Sequence, residues 1–122
     1  MAALKLFFLT ILTYVYVSNG IMIGMPIELT GALREAAVER LYTGLHKVSI
    51  AGGPQYKVLR VNKVTNQRII VNAPVDTYDV DLVVGRIVKQ CIVRITIHYP
   101  PTAGDNSISI ICNGKLEFEM DY

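Results

Sequence analysis

Tryptophan is absent from these 122 residues, and histidine and cysteine occur only twice each. His46 and His98, with Cys91 and Cys112, lack ligand-like spacing, which excludes a zinc site. Runs of one charge sign are missing as well. Twelve Lys and Arg face ten Asp and Glu, and the basic residues are scattered singly from Arg34 to Lys115. A stripe that tracks phosphates is therefore absent, and nucleic acid is not an expected partner. There is no glycine-rich phosphate loop, because Gly52-Gly53-Pro54 comes after a helical pattern instead of preceding one. Beyond residue 20 no stretch is apolar enough to cross a bilayer.

The first 20 residues have their own grammar. Lys5 precedes the apolar run Leu6 to Leu12, which tapers into Ser18, Asn19 and Gly20. That order of cation, apolar stretch and small residues predicts a secretory signal peptide over 1–20. A membrane anchor is the alternative, disfavoured because the apolar run is short. Removing 20 of 122 residues leaves 102, one domain over 21–122. Without Lys5 the charge balance falls from +2 to +1.

In an exported chain two cysteines read as one disulfide, with two inert buried thiols as the alternative. A Cys91–Cys112 bridge would close 22 residues and contribute about 3 kcal/mol.

Residues 21–29 are broken up by Gly24 and Pro26, and Thr30 suits the cap position of a helix. Leu33, Ala37, Leu41, Leu45 and Val48 then recur every three or four residues, predicting an amphipathic helix from Ala32 to about Val48. After Ala51-Gly52-Gly53-Pro54 the period becomes two. Strands are predicted at Tyr56–Val61, from Arg68, at Tyr78–Val84, from Cys91, at Ile108–Cys112 and at Leu116–Met120. Both cysteines fall in phase with the apolar side of their strands. Asn113-Gly114 marks a two-residue hairpin, and Pro100-Pro101 with Gly104 a longer one. The expected fold is α+β, one helix across a four- to five-stranded antiparallel sheet.

Catalytic groups do not converge. Cys91 and His98 are seven apart in one strand and so point to opposite faces, and Asp79 with Asp81 suits a solvated strand face. Neither enzyme activity nor a cofactor is expected. Three irregular segments suit recognition instead: 21–27, 67–72 and 99–102. In a run of antiparallel hairpins the last two fall at the same end of the sheet.

The order of these segments resembles the cystatins, especially secreted insect members of the sarcocystatin sort. Gly24-Met25-Pro26 is similar to their N-terminal glycine segment, and Gly53 to Val58 to the start of the strand after the helix. Gln67-Arg68-Ile69-Ile70-Val71 occupies the place of the Gln-x-Val-x-Gly hairpin loop, and Tyr99-Pro100-Pro101 that of a loop commonly carrying Pro-Trp. Cys91 and Cys112 match the C-terminal disulfide of secreted members. The resemblance implies a secreted, extracellular, reversible inhibitor of papain-like (cathepsin L-like) cysteine proteases. Gly24, Gln67, Arg68, Ile69, Ile70, Val71, Pro100 and Pro101 would form a wedge entering the protease cleft. Ile69 for valine is a mild departure from the pattern, and two others are larger: Val71 stands for glycine and Pro101 for tryptophan. They motivate an alternative, a cystatin-fold binding protein that has lost inhibition. A monomer is expected, with a domain-swapped dimer as the other state that a strained 67–72 loop permits.

Overall fold

The computed structural model describes residues 25–70, 73–98 and 104–122. The leader 1–20, Gly24, Val71, Pro100 and Pro101 lie outside them. The described chain is α+β, with one helix, α1 (Gly31–Ile50), against a six-stranded antiparallel meander. Its strands are β1 (Ile27–Glu28), β2 (Tyr56–Ile70), β3 (Ala73–Val84), β4 (Ile87–Thr96), β5 (Ser107–Cys112) and β6 (Lys115–Asp121).

The count of six corrects the expected four to five. Two residues that read as irregular, Ile27 and Glu28, pair with Asn66 and Thr65 to make β1. The separate strands expected at Tyr56–Val61 and from Arg68 are one strand of 15 residues. Register shifts at Val58/Arg60 and Val61/Lys63 explain the misreading. Each bulge adds one residue and reverses the inward–outward alternation that reveals a strand in sequence.

The helix buries Ala37, Leu41, Gly44, Leu45 and Val48. Leu33, expected in that stripe, is 67% exposed, one turn before the helix reaches the sheet. Thr30 occupies the cap position with extended backbone, but its side chain makes no capping hydrogen bond. The sheet answers with Val64, Tyr78, Val80, Leu82, Cys91, Val93, Ile95, Ile108, Ile110 and Cys112, all but closed to solvent. Cys91 and Cys112 stand directly opposite in the β4–β5 register and form the disulfide. Asn113 and Gly114 both adopt positive φ, as a twist-matched two-residue hairpin requires.

In β6 a shift between Ile110 and Ile111 changes the expected phase. Phe118 packs on the core, while Leu116 pairs with Ile111 and is 58% exposed. At the far end of the helix, Gly53 lies under Val48 and Phe118. A Cβ there would sit 2.7 Å from Val48 Cγ1 and 2.8 Å from Phe118 Cε1. Gly53→Ala is therefore expected to cost about 1–3 kcal/mol by overpacking, read from urea unfolding.

Beside it, Glu117 accepts hydrogen bonds from Lys89 Nζ at 2.6 Å and Tyr56 OH at 2.9 Å. The Lys89 bond holds the Glu117 carboxyl below its ordinary value, against the opposing effect of burial and with help from Tyr56. A carboxylate with a lowered folded value stabilises above its unfolded value and loses that contribution as pH falls through the folded one. Below about pH 4.5 the native melting temperature should therefore fall more steeply than that of Glu117→Gln.

Candidate functional site

The sheet order brings three connections to one end. β2 and β3 pair up to Ile70 and Ala73, so residues 71–72 link them. The sequence pattern alone makes 67–72 a loop. In the structure Gln67 pairs with Val75 and Arg68 with Pro74, so both belong to the ladder at the base of the turn. Gln67 is half-buried and Arg68 exposed. The backbone of Ile69 and Ile70 continues the strand.

The β4–β5 connection begins beside the first hairpin. Thr96 pairs with Val75, and the Ile97 N–H donates to Pro74 O at 3.2 Å. β1 runs antiparallel to β2 with Ile27 opposite Asn66, so the chain preceding Ile27 leaves toward the same end. Met25 and Ile27 are exposed there. The structure thus brings Gln67, Arg68 and the flanks of the other two segments together. Gly24, Val71, Pro100 and Pro101 fall outside the described residues.

Two braces at the base of these connections have no counterpart among the sequence-predicted site residues. Asp76, 2% exposed, accepts from Asn66 Nδ2 at 2.8 Å and from Arg40 Nε at 2.7 Å, with Tyr78 OH at 3.3 Å. Tyr78 OH also donates to Ala37 O at 2.6 Å. Helix, β2 and β3 are thereby joined at Asp76, four residues beyond the 71–72 link. Burial first, and the nearby Asp76 charge second, push the Tyr78 hydroxyl far above its ordinary value, so it stays a neutral donor. A sequence signal exists for this brace: Asp76 is two residues before Tyr78 and so in phase with the buried side of β3.

The second brace holds the other loop. Asn106 Oδ1 accepts from the His98 N–H at 3.0 Å, across the mouth of the 99–105 connection. Asn106 also exchanges both backbone hydrogen bonds with Tyr122, at 3.0 and 2.7 Å. Braced loop bases lose little conformational freedom when their tips bind. The described residues place the bases of the two hairpin connections, and the chain leading into β1, at one end of the sheet. Among the described residues no group of three or more His, Cys, Asp or Glu could hold a metal ion.

A protein of Drosophila melanogaster named Cystatin-like protein is 33% identical to this chain over 100 residues. The match covers 82% of this chain and 77% of that one. The chain belongs to the cystatin-like family. No family model and no solved structure matches it. The cystatin-like assignment accords with the helix-and-meander fold and with the Cys91–Cys112 bridge. Among its described residues no helix is long and apolar enough to cross a membrane.

Proposed function

We propose that this cystatin-like chain is a secreted, reversible inhibitor of papain-like cysteine proteases. The observation that supports it best is the convergence of the N-terminal segment, the 71–72 link and the 99–105 connection at one end of the sheet. A wedge of three loops fills a protease cleft while offering no scissile bond to the catalytic thiol. The residues assigned to it are Gly24, Gln67, Arg68, Ile69, Ile70, Val71, Pro100 and Pro101. The protein acts as a binding partner and supplies no chemistry of its own. Export through the 1–20 leader would place it in an oxidising compartment, where the disulfide persists.

Steady-state titration of papain and cathepsin L with the disulfide-bonded protein tests the proposal. Competitive, reversible inhibition is expected, and none at tens of micromolar, about 7 kcal/mol of binding, would sink it.

A second reading, binding without inhibition, is favoured by Val71 and Pro101. Valine adds bulk where glycine is the family residue and discourages positive φ, and Pro101 removes an aromatic anchor. Val71→Gly with Pro101→Trp should tighten inhibition by about thirtyfold or more, the worth of one anchor of about 2 kcal/mol. An inert parent rescued by these changes establishes the second reading.

A further inference from the structure

The helix covers one face of the sheet and leaves the other open. The edge of the sheet along β2 is covered over only part of its length. β1 pairs with Asn66 and Thr65, and the Leu29 N–H donates to Val64 O at 2.9 Å. Arg34 Nη2 then donates to Val61 O at 2.9 Å. From Tyr56 to Arg60 no strand of the described residues pairs with β2 on the side away from β3. Alternate peptide groups of such an edge point outward, a template for another strand. The edge accepts one already, since β1 is itself a two-residue strand added antiparallel to β2.

Beside the free stretch, the last turns of α1 and the start of β2 border an open groove of about 410 Å³. Tyr42, Leu45 and His46 line its helix side, and Tyr56, Lys57 and Val58 its strand side. No carboxylate among the described residues lines it. Tyr56 and Val58 belong to the core side of β2, whereas Lys57, Arg60 and Lys63 are exposed. Arg60 is engaged by Asp81 at 3.8 Å. Lys57 instead stands opposite Val83 and joins no ion pair among the described residues. The whole of β2 carries Lys57, Arg60, Lys63 and Arg68 and no acidic residue.

We infer that β2 takes up an extended segment of a partner protein, with acidic and apolar residues in alternation, as a strand along Tyr56–Arg60. Main-chain hydrogen bonds supply the affinity of such an addition, and alternate side chains supply its specificity. One set of the segment's side chains turns to the groove beside Tyr42, Leu45 and Val58, where apolar groups fit. The other set turns to the open face, where Lys57 selects a carboxylate. A second copy of this edge is a poor occupant, because two cationic strands would set like charges together. The free stretch lies at the end of β2 remote from Gln67 and Arg68. It is therefore independent of protease inhibition and leaves the wedge free.

The probe is the peptide acetyl-Val-Glu-Val-Glu-Val-Glu-amide, followed by amide chemical shifts of the disulfide-bonded protein. Saturable shifts along Tyr56–Arg60 and at Tyr42 and His46 are expected, with a dissociation constant on the order of 1 mM. The counterpart with lysine for glutamate should bind about fivefold more weakly, and Lys57→Glu should reverse that preference. Two further peptides carry N-methyl groups, one on the valine amides and one on the glutamate amides. One of them should lose binding and the other keep it, because only alternate amides of an added strand face β2. Equal binding of the acidic and basic peptides, equal binding of the two methylated peptides, or no shift along Tyr56–Arg60 would overturn the inference. So would contacts between the β2 edges of two molecules that grow with protein concentration, since a second copy would then be the occupant. A thermal melt of Lys57→Glu establishes that it is folded, and the peptide series stands without it.

Discussion

Arg40→Met is expected to lower the unfolding free energy by about 3 kcal/mol. Arg40 Nε is 2.7 Å from Asp76 Oδ2, and the aspartate side chain is only 3% exposed. Removing the guanidinium leaves a buried carboxylate whose remaining donors among the described residues, Asn66 and Tyr78, are neutral. An uncompensated buried charge is costly even where the intact pair adds little net stability. The double variant Arg40→Met/Asp76→Leu should therefore regain most of the loss. Tyr78 keeps Ala37 O as acceptor, and Asn66 is only half-buried, so neither is stranded. Urea unfolding of the two single variants and the double variant measures the coupling directly. A double variant that loses the sum of the two single losses would mean that Arg40 and Asp76 contribute independently, through packing and not through their charge pair. The same substitution should weaken protease inhibition, because Asp76 and Asn66 tie the base of the β2–β3 hairpin to the helix.

Cys91→Ala/Cys112→Ala is the second large effect, again about 3 kcal/mol. The bridge joins residues 21 apart in sequence, and opening it restores chain freedom to the unfolded state. Both cysteines are nearly fully buried, so the truncated side chains also forfeit core contacts. For a domain of about 100 residues that loss corresponds to a fall of roughly 15 °C in melting temperature. Calorimetry of the oxidised and substituted proteins at one pH measures it. A drop of less than about 4 °C, worth under 1 kcal/mol, would show that the β4–β5 ladder holds its ends without the staple.

Much of this architecture could be read from residue order alone. The helix was legible because Ala37, Leu41, Leu45 and Val48 keep one face over three turns. The disulfide was legible because both cysteines share the apolar phase of their strands. The Asn113-Gly114 turn announced itself through residues that tolerate positive φ. What escaped was set by pairing across the sheet. The bulges in β2 hid one long strand inside two short patterns, and the shift at Ile110/Ile111 moved Leu116 to the open face. A two-residue strand such as β1 has no period to detect, and only its register with Thr65 and Asn66 defines it.

The candidate site was legible in outline for the same reason. Loop adjacency comes from counting strands, and the contact between Ile97 and Pro74 bears out the expected neighbourhood of the two hairpin connections. The braces beneath them were harder to see. Asp76 binds partners on two other elements, Arg40 at 36 residues' distance and Asn66 at 10, and neither spacing has a local signature. Its phase with Tyr78 was the one clue. Asn106 likewise acts through His98 and Tyr122, which meet only once β4, β5 and β6 are side by side.

Hydrogen exchange of the disulfide-bonded protein, alone and with papain whose active-site thiol is blocked, tests the central claim most directly. The account predicts slowed exchange confined to residues 21–27, 67–72 and 99–105, with the open face around Ile92 and Ile111 unchanged. Unchanged exchange in all three segments at saturating protease, or slowing confined to the open face, would contradict it.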